Sequence, residues 1–203
     1  LFCTDEELSG ERWFPSLSEQ GSVLARGIAD GPDLERDRIR NGLLGAISAA
    51  EESILIVSPY FLPDDELLSG LCIASMKDVE VDVITPRVNN PRMVQWASMT
   101  GQEQLAEHGC NLYWSDPPFD HSKLMTVDDT WTFFGSANWD ARSLKLNFEF
   151  NVEAYDRTLT RSINEQIDVQ KGHSKRMEVS DFRNRSLPVK IRDNAFRLFS
   201  PYL

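Results

Sequence analysis

Two hydrophobic periods alternate along this chain, and the order in which they do so leaves it few folds. Residues 53–58 (Ser-Ile-Leu-Ile-Val-Ser) form a short β-branched run, and residues 79–84 (Val-Glu-Val-Asp-Val-Ile) alternate with the period of a strand. Around them lie stretches of helical length. In residues 34–50, Ile39, Leu43, Leu44, Ile47 and Ala50 recur at helical spacing. Pro63-Asp64-Asp65 opens a second helix through Leu67, Leu68 and Leu71 toward Met76. Residues 93–108 predict a third, stopped by Gly109 at its C-terminal cap. Further strands are expected over 22–28, 111–114, 123–127, 130–134 and 148–155, with a last helix over 158–170. Strands alternating with helices of this length predict an α/β layer structure around a largely buried sheet, since parallel neighbours need long crossovers.

The chain's 203 residues suffice for one domain. Residues 1–20 read as an irregular linker or leader from a longer parent, and residues 21–203 as the folded unit, ending in a short basic extension. The first residue is Leu1 rather than Met, which suits a processed or excised piece. Apolar residues at 41% and charged residues at 26% exclude a disordered chain, and no apolar stretch is long enough to span a bilayer. A net charge of −11 argues against a generic nucleic-acid coat, which needs a broad basic surface. The charge is uneven. Up to Glu35 there are eight acids against Arg12 and Arg26, whereas from Lys171 onward eight Lys or Arg face three acids. A basic terminal segment of that kind suits either an anionic membrane surface or a solvated face. Cys3, Cys72 and Cys110 are scattered without metal or disulfide spacing, and Cys72 lies in an apolar run as a small core residue.

The chemistry is concentrated in one stretch, His121-Ser122-Lys123, then four residues to Asp128, then six to Gly135-Ser136-Ala137-Asn138. His121 and Lys123 are two apart, so on extended backbone their side chains share a face. The Gly-Ser-Ala-Asn stretch suits a corner at a strand end, where amides, a hydroxyl and a carboxamide gather. An imidazole, an ammonium, a hydroxyl and an amide converging on one point suit an anion with several oxygens, phosphate above all. A lone H-x-K is most often a surface pair; six fixed identities in so short a window are not. Of the other histidines, His108 has no lysine two residues on, and His173 has Lys175 there but Ser180 where the spacing needs an aspartate. His108 sits at a predicted helix C-terminus, where imidazolium is favourable, and His173 lies in a polar stretch.

This pattern, H-x-K-x4-D-x6-G-S-x-N, resembles the signature of the phospholipase D superfamily, which His121, Lys123, Asp128, Gly135, Ser136 and Asn138 all match. Pro59-Tyr60-Phe61-Leu62-Pro63-Asp64, Asn138-Trp139-Asp140-Ala141-Arg142-Ser143, Asn147-Phe148-Glu149 and the final Leu198-Phe199-Ser200-Pro201-Tyr202-Leu203 are similar to the second half of bacterial cardiolipin synthases. The resemblance implies a layered α/β domain whose largely buried mixed sheet has helices on both faces. It implies a phosphatidyl transfer, two phosphatidylglycerol molecules giving cardiolipin and glycerol, through a phosphohistidine. His121 takes one of the two histidine roles, nucleophile or general acid. Lys123, Ser136 and Asn138 hold phosphoryl oxygens without a metal or other cofactor. Glu149 orients the histidine, and Asp128 belongs to the signature as a catalytic or strand-end residue.

One motif supplies one histidine where the reaction needs two. The resemblance therefore implies a partner, either a second motif-bearing half in a longer chain at the bacterial inner membrane or a second copy of this chain. Two other readings stay open: a homodimeric single-motif phosphodiesterase, phospholipase or nuclease, and an inactive isolated half-site that binds phosphate. Tyr60, Phe61 and Trp139 suit either the core or a channel for the lipid.

Overall fold

The structure, a computed structural model, describes residues 9–32 and 37–200. Cys3, Asp33 and Pro201-Tyr202-Leu203 lie outside the described residues, as does the start of the first predicted helix. Residues 9–23 contain no helix or strand.

The regular elements follow as β1 (Leu24–Asp30), α1 (Arg38–Ala49), β2 (Ser53–Val57), β3 (Phe61–Leu62), α2 (Asp65–Met76), β4 (Glu80–Pro86), α3 (Arg92–Glu107) and β5 (Asn111–Ser115). Then come β6 (Leu124–Val127), β7 (Trp131–Gly135), β8 (Trp139–Asp140), α4 (Ala141–Lys145), β9 (Glu149–Tyr155), α5 (Arg157–Gly172), β10 (Ser174–Met177), α6 (Val179–Arg183) and α7 (Leu187–Arg197). Eight strands form one mixed sheet in the order β1-β9-β7-β6-β2-β4-β5-β10. Its centre, β2-β4-β5, is parallel, and every other neighbouring pair is antiparallel. The α/β layering with helices on both faces matches the expectation.

Burial explains the register. Ile39, Leu43 and Ile47 of α1 and Leu67, Leu68 and Leu71 of α2 pack with Ile54, Ile56, Val81, Val83, Met125 and Phe133 on one face of the sheet. On the other face α5 places Ile167 against Val57, Ile84 and Tyr113. Strand β4 is buried on both faces, so its alternation does not mark a solvent face. Asp82 lies at its middle, 1% exposed, held by the Asn111 amide at 2.7 Å and by Lys171 from α5. A buried carboxylate keeps its charge only with such partners.

Helix ends show which local signals were sufficient. Asp64 caps α2 by accepting from Glu66 N and Leu67 N, and Gly109 follows α3 at φ +94°, as its position predicts. Helix α1 is capped from a distance instead. Buried Asp30, at the end of β1, accepts from Ile39 N at 2.9 Å and from Gly31 N at 3.0 Å.

The basic C-terminal stretch is not an extension. It forms β10, α6 and α7, and α6 and α7 pack on α3. Each of its eight cations faces a carboxylate: Lys171 with Asp82, Lys175 with Asp181, Arg176 with Glu178, Arg183 with Glu107, Arg185 with Glu103 and Asp193, Lys190 with Glu103, Arg192 with Asp193, and Arg197 with Asp65. The positive excess read from the sequence is spent on intramolecular pairing.

Cys72 and Cys110 are both free and buried, and burial pushes the Cys110 thiol up to about 12. Neither thiol is expected to react with iodoacetamide at pH 8 until the chain unfolds. Mass spectrometry across a urea titration checks this, and alkylation of either in native buffer contradicts it.

Candidate active site

The sheet fixes the site by bringing three chain segments to one end. The loop carrying His121 enters β6, the corner at Gly135 leaves β7, and Glu149 begins β9; these strands are adjacent in the order β9-β7-β6. Leu124 pairs with Phe134 and Gly135 with Asn151, so the H-x-K and G-S-x-N segments meet across a single ladder.

Gly135 is required by close approach. A Cβ there would lie 2.4 Å from Phe150 O and 2.6 Å from Asn151 Cα, so any side chain would push β7 off β9. With the corner pressed flat, Ala137 N donates to Asn151 Oδ1 at 3.1 Å and Ser136 N to Phe150 O at 3.1 Å.

His121 is exposed, and Lys123, one pleat further on, is 8% exposed with its Nζ directed back at it. Nζ lies 3.2 Å from each ring nitrogen and donates to His121 O at 2.8 Å. Burial lowers the Lys123 pKa, and the negative charges of Glu149, Asp120 and Asp140 oppose that fall. The site is thus an exposed imidazole beside a partly desolvated cation. Asp120 shapes the loop, accepting from Ser122 N and Oγ with one oxygen and from Gln170 Nε2 with the other.

The remaining predicted residues divide. Asn138 lies half-buried at the corner after β7 with its amide nitrogen 3.2 Å from Ser143 Oγ and its buried Oδ1 without a partner. Rotating that amide by half a turn lets Oδ1 accept the Ser143 hydroxyl. Ser136 Oγ donates to Glu149 and accepts from Phe150 N at 3.0 Å, so its proton is already engaged. Glu149 accepts from Ser136 and from Asn147 Nδ2 at 3.1 Å. It makes no hydrogen bond to His121 among the described residues, so the implied orienting pair is not formed here; its charge acts on Lys123 instead.

Asp128 is not at the site. It lies beyond the far end of β6, five strand steps or about 17 Å from Lys123. There, at φ +50°, its carboxylate accepts from Glu51 N at 2.9 Å and from Glu52 N and Ser53 N at 2.8 Å each. Of the two roles the signature left open for Asp128, this placement fits the structural one. It fastens the β6–β7 turn to the entrance of β2.

Several neighbours of the site were not singled out from the sequence, or only in part. The two-residue ladder β3–β8 pairs Phe61 with Trp139 and Leu62 with Asp140. It splits the aromatic set: Phe61 and Trp139 are core, their rings tilted against each other at 5.6 Å, while Tyr60 turns to the site. The Tyr60 ring meets the His121 ring edge-on at 6.1 Å, and Phe119 lies 5.9 Å from His121 on its other neighbour position. Buried Asp140, its pKa raised by burial, caps α4 by accepting from Ser143 N at 2.8 Å, and so sets the hydroxyl that faces Asn138. The short spacing Asn-x-Asp-x-x-Ser was the available signal. A cleft of about 600 Å³ opens on the α5 side of the loop, lined by Asp120, Gln170 and His173 among others.

This arrangement fits what the chain is similar to. The family described as "Cardiolipin synthase, PLD-like domain" matches residues 43–170, a span that includes the loop, the corner and β9. The chain belongs to that family. Cardiolipin synthase 2 of Staphylococcus epidermidis is 35% identical over 192 residues, covering 95% of this chain and 39% of the relative. The major cardiolipin synthase ClsA of Bacillus subtilis is 35% identical over 190 residues, 94% of this chain and 39% of its own length. The chain thus spans about two fifths of the curated relatives it matches. Among solved structures, the phospholipase D family member Nuc from Salmonella typhimurium superposes with a TM-score of 0.67 at 19% identity, over 77% of this chain and 99% of that one. The phosphatidylserine synthase of Haemophilus influenzae gives 0.73 at 14% identity, over 89% of this chain and 48% of that one. At those identities the likeness is one of fold, the phospholipase D type.

Proposed function

We propose that this chain supplies one of the two catalytic histidines of a phosphatidyl-transferring enzyme that joins two phosphatidylglycerol molecules into cardiolipin, releasing glycerol. The observation that carries the reading is the exposed His121 imidazole with the Lys123 ammonium against it, in a chain a third identical to cardiolipin synthases along nearly its whole length. One imidazole nitrogen attacks phosphorus and the P–O bond to the departing glycerol breaks. The glycerol oxygen takes a proton from the second histidine. The hydroxyl of a second phosphatidylglycerol then attacks phosphorus, returning a proton to that histidine and freeing the first. Lys123 and the Asn138 amide stabilise the charge gathering on the non-bridging oxygens.

The second histidine comes from a partner carrying its own motif. The 39% coverage of the curated relatives favours a further half in the same enzyme. A second copy of this chain is the other arrangement, favoured by the size match to the whole Nuc chain. Light scattering separates them: a concentration-independent dimer supports the second copy, a monomer the further half. No helix of the described residues is long and apolar enough to cross a membrane. The test of the activity is phosphatidylglycerol in vesicles as sole substrate, with glycerol and cardiolipin followed together. Equal release of both supports transfer, and glycerol released without cardiolipin refutes it.

Lys123 also predicts a pH limit. With its pKa lowered by burial, the ammonium is lost below the ordinary lysine range. Turnover is therefore expected to fall on the alkaline side earlier than a free lysine would give, and Lys123→Arg moves that limb to higher pH. An unchanged limb in Lys123→Arg shows that another group sets it. The same shift has a stability sign. In the window between the lowered folded value and the unfolded value the unfolded chain binds more protons, so Lys123 costs stability below the window and the cost fades as pH rises through it.

A further inference from the structure

Beside the phosphate-binding groups the molecule carries a rim that neither the core nor the chemistry uses. Loop β4–α3 and the loop before His121 are tied into one surface. Arg87 N donates to Ser115 O at 2.9 Å, and the Arg87 guanidinium reaches Asp116 at 3.1 Å. Tyr60 Oη donates to Asn90 O at 2.9 Å, and the Tyr60 and Phe119 rings lie 6.4 Å apart. Through Tyr60 this surface is continuous with His121.

Its composition is unusual for an exposed edge. Val88 is 58% exposed, Met93 42% and Phe119 47%, with exposed Pro91, Pro117 and Pro118 between them. Residues 87–93 contain two arginines and no carboxylate, in a chain of net charge −11. Of the nearby acids, Asp116 is paired with Arg87, and Asp120 is hydrogen-bonded by the uncharged Ser122 and Gln170. Arg92 has no carboxylate partner among the described residues. By contrast, all eight cations of the C-terminal segment are paired within the chain.

From this we infer that the rim is the surface by which the protein docks on an anionic lipid bilayer. Val88, Met93 and Phe119 enter the boundary between headgroups and acyl chains, and Arg92 takes lipid phosphate. Apolar side chains flanked by guanidinium groups bind an interface by area and charge together. Continuity with His121 gives the docking its use. A lipid phosphodiester lies at headgroup depth, so a site whose lip enters the headgroups reaches it without extracting the lipid. The inference rests on the lipid reading above only for that use; the docking itself is read without turnover.

The test is co-sedimentation of the protein with vesicles of phosphatidylglycerol and phosphatidylcholine in equal parts, against phosphatidylcholine alone. Val88→Ser with Met93→Ser is expected to weaken binding about tenfold or more, and Arg92→Glu about fivefold on the mixed vesicles only. Circular dichroism and a thermal melt establish that the variants fold. An environment-sensitive fluorophore on Val88→Cys, in a Cys3→Ser background, is expected to shift to the blue when vesicles are added. Binding that is equal in wild type and folded variants overturns the proposal, as does wild type that does not bind. A fluorophore already shielded without vesicles overturns it too, and assigns the rim to contact with the rest of the enzyme or a second copy. Failure of the functional reading looks different: vesicles bound through the rim, with no glycerol or cardiolipin formed.

Discussion

In the assembled enzyme, His121→Ala is expected to lower phosphodiester transfer by about four orders of magnitude or more while leaving the fold intact. The structural half of that expectation follows from exposure. Among the described residues the imidazole meets the Tyr60 and Phe119 rings and the Lys123 ammonium, and the Lys123 bond to His121 O survives the substitution. The thermal midpoint should therefore move little. The chemical half follows from the absence of a substitute, because His108 caps the far end of α3 and His173 ends α5, where Lys175, two residues on, pairs with Asp181. An ester with a p-nitrophenol leaving group tells the two histidine roles apart. That leaving group needs no proton, so the variant keeps activity on it if His121 is the acid and loses it if His121 is the nucleophile. Activity on phosphatidylglycerol within tenfold of wild type would sink the mechanism.

The second large effect is one of stability at a signature residue. Asp128→Ala is expected to cost about 2–4 kcal/mol, since it removes the acceptor of three backbone N–H groups, each bond charge-assisted and the one from Ser53 N partly buried. It also leaves alanine at φ +50°, a region that favours Asp and Asn over other side-chain-bearing residues. Asp128→Asn keeps the backbone preference and one acceptor oxygen, and should lose about half as much. Urea unfolding of the three proteins checks the order. For folded enzyme the turnover per active molecule should stay near wild type. A tenfold fall in turnover with no loss of stability would place Asp128 in the chemistry instead.

Much of this was written in the local sequence. The order of strands and helices follows from period, since β2, α2, β4 and α3 each carry their own pattern and α2 and α3 their own end signals. The placement of His121 and Lys123 on one face needs only the pleat of extended backbone, and the six spaced identities from His121 to Asn138 suffice to name the superfamily. Glycine at 135 was legible as an identity, though not as a consequence of β9 passing within van der Waals distance.

Only the tertiary structure decided what depends on meetings across the chain. Asp128 belongs to the same short signature as His121, yet strand β6 carries the two to opposite ends of the sheet. Tyr60 reaches the imidazole because a two-residue ladder zips its loop to Trp139. Asp30 caps a helix that starts eight residues later, and Asp82 is buried in a strand whose pattern suggests a wet face. The C-terminal cations look available in one dimension and are neutralised in three. In each case hydrogen bonds and ion pairs are chosen by distance in space, and burial raises the cost of leaving a partner out; neither quantity exists until the sheet has closed.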